Sequence, residues 1–119
     1  MGCPVRRGDI FLIDLEPTQG NEANKQRPAV LVSNDRVSTA AARSGRGVVT
    51  VVPVTSNIDR IYRFQTRLPA DATSLRTDSK AQAEQVRSVS VQRLGRVLGR
   101  VPPPLMAELD DASRLHLQL

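Results

Sequence analysis

Apolar residues gather in short runs parted by polar, glycine- or proline-marked stretches, which predicts strands more than long helices. Arg7 to Leu15 carries Ile10, Phe11, Leu12 and Ile13 between Gly8 and Pro17, and reads as a first strand. A polar stretch, Glu16 to Gln26, follows, and is longer than a tight hairpin turn needs. Ala29 to Val32 then has the composition and length of a buried strand. Pro28 fixes its own φ and biases Arg27 toward extended geometry, so Arg27 should sit on a rigid element at the strand entrance. Gly47 to Val54 is a second buried-strand run, and it ends in three small hydrogen-bonding residues, Thr55, Ser56 and Asn57.

Between these two runs, Asn34 or Asp35 is placed to cap a short helix through Val37, Ser38, Thr39 and the alanines, stopping at Ser44-Gly45. Ile58 to Leu68 ends in an alternating stretch, Tyr62 to Leu68, that reads as a half-exposed strand with its arginines outward. Pro69 to Asp78 is rich in turn formers. Ser79 to Val89 sets alanine and valine among polar residues and reads as a further strand, against the helix propensity of its Ala, Gln and Glu. Arg93 to Val101 is a glycine-interrupted strand of the kind found at barrel corners and bulges. From Pro104 to Leu119 the pattern is helical: proline opens it, Glu108, Asp110 and Asp111 come early, Arg114 and His116 late, and Leu105, Leu109 and Ala112 form an apolar stripe. About six short strands and one closing helix predict a small, strongly bent sheet or partly closed barrel in a mainly β domain.

Composition narrows what such a domain does. The chain has 119 residues, enough for one domain over 1–119 with its own core. Seventeen Lys and Arg against 12 Asp and Glu give a net charge of +5, most of it from arginine, which favours a polyanionic partner and, among these, nucleic acid. A single cysteine, Cys3, rules out a disulfide within the chain and a cysteine-based zinc site, and agrees with a reducing cytoplasm. No apolar run reaches the length of a membrane span, and no signal-peptide pattern opens the sequence, so a cytoplasmic location without a membrane partner is expected.

The candidate chemistry lies at the ends of the two buried runs. If these strands are neighbours, Arg27 and the hydroxyls of Thr55 and Ser56 converge on one ligand, and a planar guanidinium beside a polar loop suits phosphate oxygens. The plain alternatives are a solvated charge at a strand end and an ordinary Thr-Ser-Asn turn.

Four stretches in this order carry a resemblance. They are Arg7-Gly8-Asp9-Ile10, then Gly20-Asn21-Glu22 leading to Gln26-Arg27-Pro28-Ala29-Val30-Leu31-Val32-Ser33-Asn34-Asp35, then Val52-Pro53-Val54-Thr55-Ser56-Asn57, and last Ala83-Glu84-Gln85-Val86-Arg87-Ser88-Val89. Together, along nearly the whole chain, they resemble the MazF/PemK family of toxin endoribonucleases, most closely its actinobacterial MazF members. The resemblance implies a bacterial type II toxin with an SH3-like, PemK/MazF-like barrel and a C-terminal helix, acting as a homodimer and held in check by a MazE-like antitoxin. It implies sequence-specific cleavage of single-stranded RNA without metal or cofactor, leaving a 2′,3′-cyclic phosphate and a 5′-hydroxyl. Carried over, the phosphate-stabilising arginine falls on Arg27, its hydroxyl partner on Thr55 and the loop acid on Glu22. RNA contacts are expected at Asn21, Lys25, Ser56, Asn57, Gln85 and Arg87. The plasmid-borne PemK branch uses a loop histidine and an arginine two residues ahead of an acid; here those places hold Asn21 or Glu22, then Gln82 and Glu84.

The chemistry can also be argued without the family. Attack by a ribose 2′-hydroxyl on the adjacent phosphate needs stabilisation of a dianionic phosphorane, removal of the 2′ proton and protonation of the leaving 5′ oxygen. Arg27 suits the first task. Glu22 is the leading carboxylate for the second, and the general base stays open between catalysis and mere solvation of that group. His116, the only histidine, sits late in the terminal helix, where a cap or packing role outweighs catalysis. Two other classes compete: a non-catalytic nucleic-acid module, and a toxin of the same barrel type that poisons DNA gyrase. Phe11, Tyr62 and Phe64 are the whole aromatic set, few for the stacking platform of a sequence-tolerant single-strand binder.

Overall fold

The computed structural model describes residues 5–14 and 26–119. Among these residues, seven strands form one antiparallel sheet: β1 Asp9–Asp14, β2 Gln26–Leu31, β3 Val48–Thr55, β4 Gln65–Leu68, β5 Ser79–Gln82, β6 Arg87–Ser90 and β7 Leu94–Arg100. The strands run in the order β4-β5-β3-β2-β1-β7, with β6 pairing β3 off this path. Helix α1 (Asp35–Ser44) joins β2 to β3, the four-residue α2 (Ala70–Thr73) follows β4, and α3 (Pro103–Leu117) closes the chain.

Alternation along the central strands divides the core in two. Ile10, Val30, Val52 and Val54 face one side, where Met106, Leu109 and Ala112 of α3 cover them. Phe11, Ile13, Ala29, Leu31, Val49 and Val51 face the other, together with Ala41 of α1, Val89 and Val91. Because both faces are covered, β2 and β3 read as continuous apolar runs in the sequence. The predicted ends of α1 are present: the Asn34 side-chain oxygen accepts from the Val37 N–H at 2.9 Å, and Gly45, with φ 70°, donates its N–H to the Ala41 carbonyl. The chain entry is tied down by charge. Arg100 donates to the buried Asp9 at 2.8 Å, and Arg7 pairs with Asp110 on α3.

Two elements differ from expectation. The strand predicted over Ile58 to Leu68 is confined to Gln65–Leu68. Ahead of it the chain turns, with the Gln65 N–H donating to the Tyr62 carbonyl and the Gln65 side-chain oxygen accepting from the Tyr62 N–H. The alternation of Tyr62 and Phe64 is satisfied by stacking their rings at 5.3 Å, not by strand pairing. The single strand predicted over Ser79 to Val89 is broken by a 3₁₀ turn at Ala83–Gln85. Here β5 pairs Val54 with Ala81, whereas β6 pairs Val51 with Arg87. Continued along β3, the first register would set Glu84 against Val51, so the turn absorbs three residues. Pro53 lies at this break, and having no N–H it cannot donate to a ladder there.

The path of strands ends at β4 and β7 and does not close through hydrogen bonds among the described residues. The gap is spanned by α2, which packs its last residue on β7. A Cβ at Gly99 would lie 2.0 Å from the Thr73 carbonyl oxygen, so only glycine admits the contact. Gly99→Ala should therefore overpack this junction and cost on the order of 1–3 kcal/mol, lowering Tm by roughly 5–15 °C. An unchanged melting curve would show that α2 does not hold the sheet's open edge.

Candidate functional site

The β2–β3 ladder sets Ala29 against Pro53, Val30 against Val52 and Leu31 against Val51. Continued by two places, this register carries Arg27 and Thr55 to facing positions at the rim of the sheet. On its other side Arg27 pairs with Ile13, and Thr55 pairs with Lys80, which itself pairs with Arg67. The rim is thus a row across five strands in which Ile13, Arg27, Thr55, Lys80 and Arg67 share a face. Adjacent strands lie about 4.8 Å apart, so the row extends roughly 19 Å from β1 to β4.

Arg27 is exposed and makes no hydrogen bond or ion pair to a described residue, so its guanidinium keeps its full donor set for a ligand. Thr55 is half-buried, and its hydroxyl oxygen accepts from the Asn57 N–H at 3.2 Å, which orients the oxygen and leaves the hydroxyl proton to donate. The Asn57 side-chain oxygen in turn accepts from the Asp59 N–H. Arg87 opens β6 opposite Val51, on the same face as Arg27 and Thr55, and Gln85 is exposed at the end of the 3₁₀ turn beside it. Ser56 departs from this group: it lines a cleft with Leu12, Pro28 and Val54, whose positions lie on the opposite face. Glu22, Asn21 and Lys25 lie outside the described residues.

The sequence reading missed the surroundings of Thr55. Lys80 is 7% exposed, and its ammonium donates to the Arg60 carbonyl at 2.5 Å while standing 5.9 Å from the Tyr62 ring. Its place between Ser79 and Ala81 in an alternating strand was the available signal, but nothing local revealed that β5 would lie beside Thr55. The Arg60 guanidinium covers Tyr62 at 5.2 Å, and Phe64 leans on His116, which accords with a packing role for that histidine. Two of the three aromatics thus gather in one cationic cluster. Glu84 accepts from Gln65 at 2.8 Å through one carboxylate oxygen, while its other oxygen is buried without a partner. The Gln65–Glu84 bond couples the turn after Asn57 to the turn that carries Gln85.

The chain between α2 and β5 is fixed at both ends. Thr73 accepts from the Leu75 N–H, and Asp78 accepts from the Ala70 N–H at 2.8 Å and from Arg67 at 2.9 Å. The Ala70 N–H, with Arg67 adding its charge, holds the Asp78 carboxyl below its ordinary value against a smaller desolvation effect.

Residues 6–117 match the family model described as PemK-like, MazF-like toxin of type II toxin-antitoxin system. The chain is 57% identical over 115 residues to endoribonuclease MazF9 of Mycobacterium tuberculosis, covering 97% of this chain and 98% of that one. It is similar in fold to a MazE-MazF crystal structure from Deinococcus radiodurans, with TM-score 0.79, 22% identity and 99% of each chain covered. The M. tuberculosis toxin MazF-mt6 superposes with TM-score 0.74 at 22% identity, over 93% of this chain and 97% of that one.

Because Arg27 and Thr55 stand at the rim, Arg27→Ala and Thr55→Ala should each change stability by about 1 kcal/mol or less. Lys80→Ala should cost more, on the order of 1.5–3 kcal/mol, since it removes a charged donor from the Arg60 carbonyl. Thermal melting of the three variants checks the ranking; wholesale unfolding of the Arg27 variant would place that residue in the fold instead.

Proposed function

The chain belongs to the PemK-like, MazF-like toxin family of type II toxin-antitoxin systems, and we propose that it acts as an endoribonuclease whose centre is Arg27 with Thr55. The observation that carries this assignment is the register: two buried strands deliver an unpaired guanidinium and an oriented hydroxyl to facing positions on one exposed rim. With a relative at 57% identity over nearly the whole chain named an endoribonuclease, RNA is the polyanion to which this rim answers.

In the proposed reaction the 2′-hydroxyl oxygen of one ribose attacks the adjacent phosphorus, and the bond from phosphorus to the 5′ oxygen breaks. The 2′ proton passes to a base, and a proton is delivered to the leaving 5′ oxygen. The products are a 2′,3′-cyclic phosphate and a 5′-hydroxyl. Arg27 opposes the charge that builds on the non-bridging oxygens, and the Thr55 hydroxyl donates to one of them. Both are strongest when that charge is greatest, so they stabilise the transition state more than the substrate. The positive charge comes from the chain's own guanidinium, so the reaction is proposed to proceed without metal or cofactor. Glu22 remains the proposed base. Arg87, Gln85 and Asn57 are proposed to position the strand on the Arg27 face, with Lys25 and Asn21 contributing from the adjoining segment. Ser56 is proposed to bind RNA from the opposite side of the rim.

A homodimer and a MazE-like antitoxin complete the proposal. The net charge of +5 suits RNA and an acidic antitoxin segment alike. No helix among the described residues is long and apolar enough to cross a membrane, and the proposed site of action is the cytoplasm.

Mapping of new 5′ ends in a mixed RNA pool tests the class. Cleavage should persist in EDTA; abolition by EDTA with recovery on magnesium would overturn the metal-free mechanism. Arg27→Ala should lower the rate by about a hundred- to a thousand-fold or more, Thr55→Ala by less, and Arg27→Lys should recover little, because an ammonium lacks the planar fork. Near-normal cleavage by Arg27→Ala would remove it from the centre, and intact RNA alongside inhibited gyrase would transfer the chain to the competing toxin class. Light scattering at micromolar concentration should give the mass of a dimer.

A further inference from the structure

On the face of the sheet opposite Arg27 and Thr55, a cleft of about 480 Å³ opens between the ends of β1 to β3, the outer strand β7 and the segment that follows α2. Its walls are apolar, formed by Leu12, Pro28, Val54, Leu75 and Leu98. Its mouth is polar and cationic, with Ser56, Thr77, Arg76 and Arg96. Pro28 and Ser56 directly follow Arg27 and Thr55 in sequence, so cleft and cleavage centre are separated only by the thickness of the strand ends.

Resting on the endoribonuclease reading, we infer that this cleft is a specificity subsite of the same reaction, taking a nucleotide that flanks the scissile phosphate. The base enters between the apolar walls, and its phosphate is held by Arg76 and Arg96. The volume falls within the range of about 300–1,000 Å³ typical of small-ligand sites, and its division into apolar walls with a few polar groups is that of such sites. Both arginines are exposed and make no hydrogen bond or ion pair to a described residue. They are therefore available as bidentate donors.

The cleft is also built on a constrained frame. Gly99 admits the Thr73 carbonyl, which brings the end of α2 down onto β7, next to the lining residues Ser74 and Leu98. Ser74 then adopts φ 70°, a left-handed conformation uncommon for a residue with a side chain, and turns Leu75 inward. Asp78 pins the other end through Ala70 and Arg67. Arg76 thus rides on a loop held at both ends, while Arg96 faces it from β7, so two cations converge on one opening without an acid between them among the cleft's lining residues.

The test uses the full chain with the paired substitution Arg76→Gln/Arg96→Gln and, as its conservative counterpart, Arg76→Lys/Arg96→Lys. A randomised 12-nucleotide RNA pool is cleaved and its new 5′ ends mapped, and a 2′-O-methyl version of the pool, which cannot be cut by 2′ attack, is titrated by fluorescence anisotropy at several salt concentrations. The glutamine variant should bind about tenfold or more weakly with a salt slope reduced by about 1 to 2, as expected for lost phosphate contacts. Its KM should rise while kcat at saturating RNA stays near wild type, and its cut-site map should lose preference at one flanking position. The lysine variant should recover the salt slope. Wild-type affinity and an unchanged map in a glutamine variant that melts normally would overturn the subsite while leaving the nuclease standing. A variant that binds RNA normally but loses its dimer or its antitoxin would assign the cleft to protein contact, and also overturn it. Arginine-dependent binding by a chain that cleaves nothing would instead remove the nuclease reading and keep the cleft.

Discussion

The pairing of β2 with β3 is the constraint on which the rest depends. Ala29, Val30, Leu31, Val51 and Val52 are fully excluded from solvent, and the two strands serve both core clusters at once. A slip of β2 by one residue along β3 would turn its side chains over, sending Val30 from the α3 side to the α1 side. It would also part Arg27 from Thr55. The hydrophobic demand that fixes the fold therefore also fixes the register of the candidate site, which needs no separate device to bring Arg27 and Thr55 together.

The candidate site occupies the ends of these strands, where burial gives out. Arg27 lies two residues beyond the last buried pair, and Thr55 lies on the same rim beside Lys80. At such positions a cation can stay unpaired, because water solvates it until a ligand arrives; inside the core it would carry a large desolvation penalty. Two buried charges have partners, Lys80 in the Arg60 carbonyl and Asp9, at the far end of β1, in Arg100, whereas one carboxylate oxygen of Asp14 and one of Glu84 are buried without one. The guanidinium groups of Arg27 on one face and Arg76 and Arg96 on the other make no hydrogen bond or ion pair to a described residue, as is also true of Arg36, Arg43, Arg46 and Arg63, and it is their places at the rim and the cleft that distinguish them.

The partner of β3 changes at Pro53, from β6 along Val48–Val51 to β5 at Val54 and Thr55, and this sets Lys80 against Thr55. Gly99 lets the end of α2 meet β7. One proline and one glycine, each acting by what it lacks, thus position the elements around the rim.

Much of this was legible in the amino-acid order. The apolar runs of β1, β2, β3 and β7, the Asn34 and Gly45 ends of α1, and the proline-opened α3 are local signals, and local physics fixed them. Arg27 and Thr55 could be singled out because Pro28 and Pro53 tie them to apolar strands. Other features were settled only by contacts distant in sequence. Whether Ile58 to Leu68 paired or turned depended on Gln65 reaching Tyr62 and Glu84, and the break in Ser79 to Val89 depended on two registers along one partner strand. Lys80 entered the site because β5 falls beside Thr55, and the cleft exists because α2 lands on Gly99. Periodicity reports which face of a strand is buried, but not which strand lies beside it; that choice is made when the whole chain closes over both cores at once.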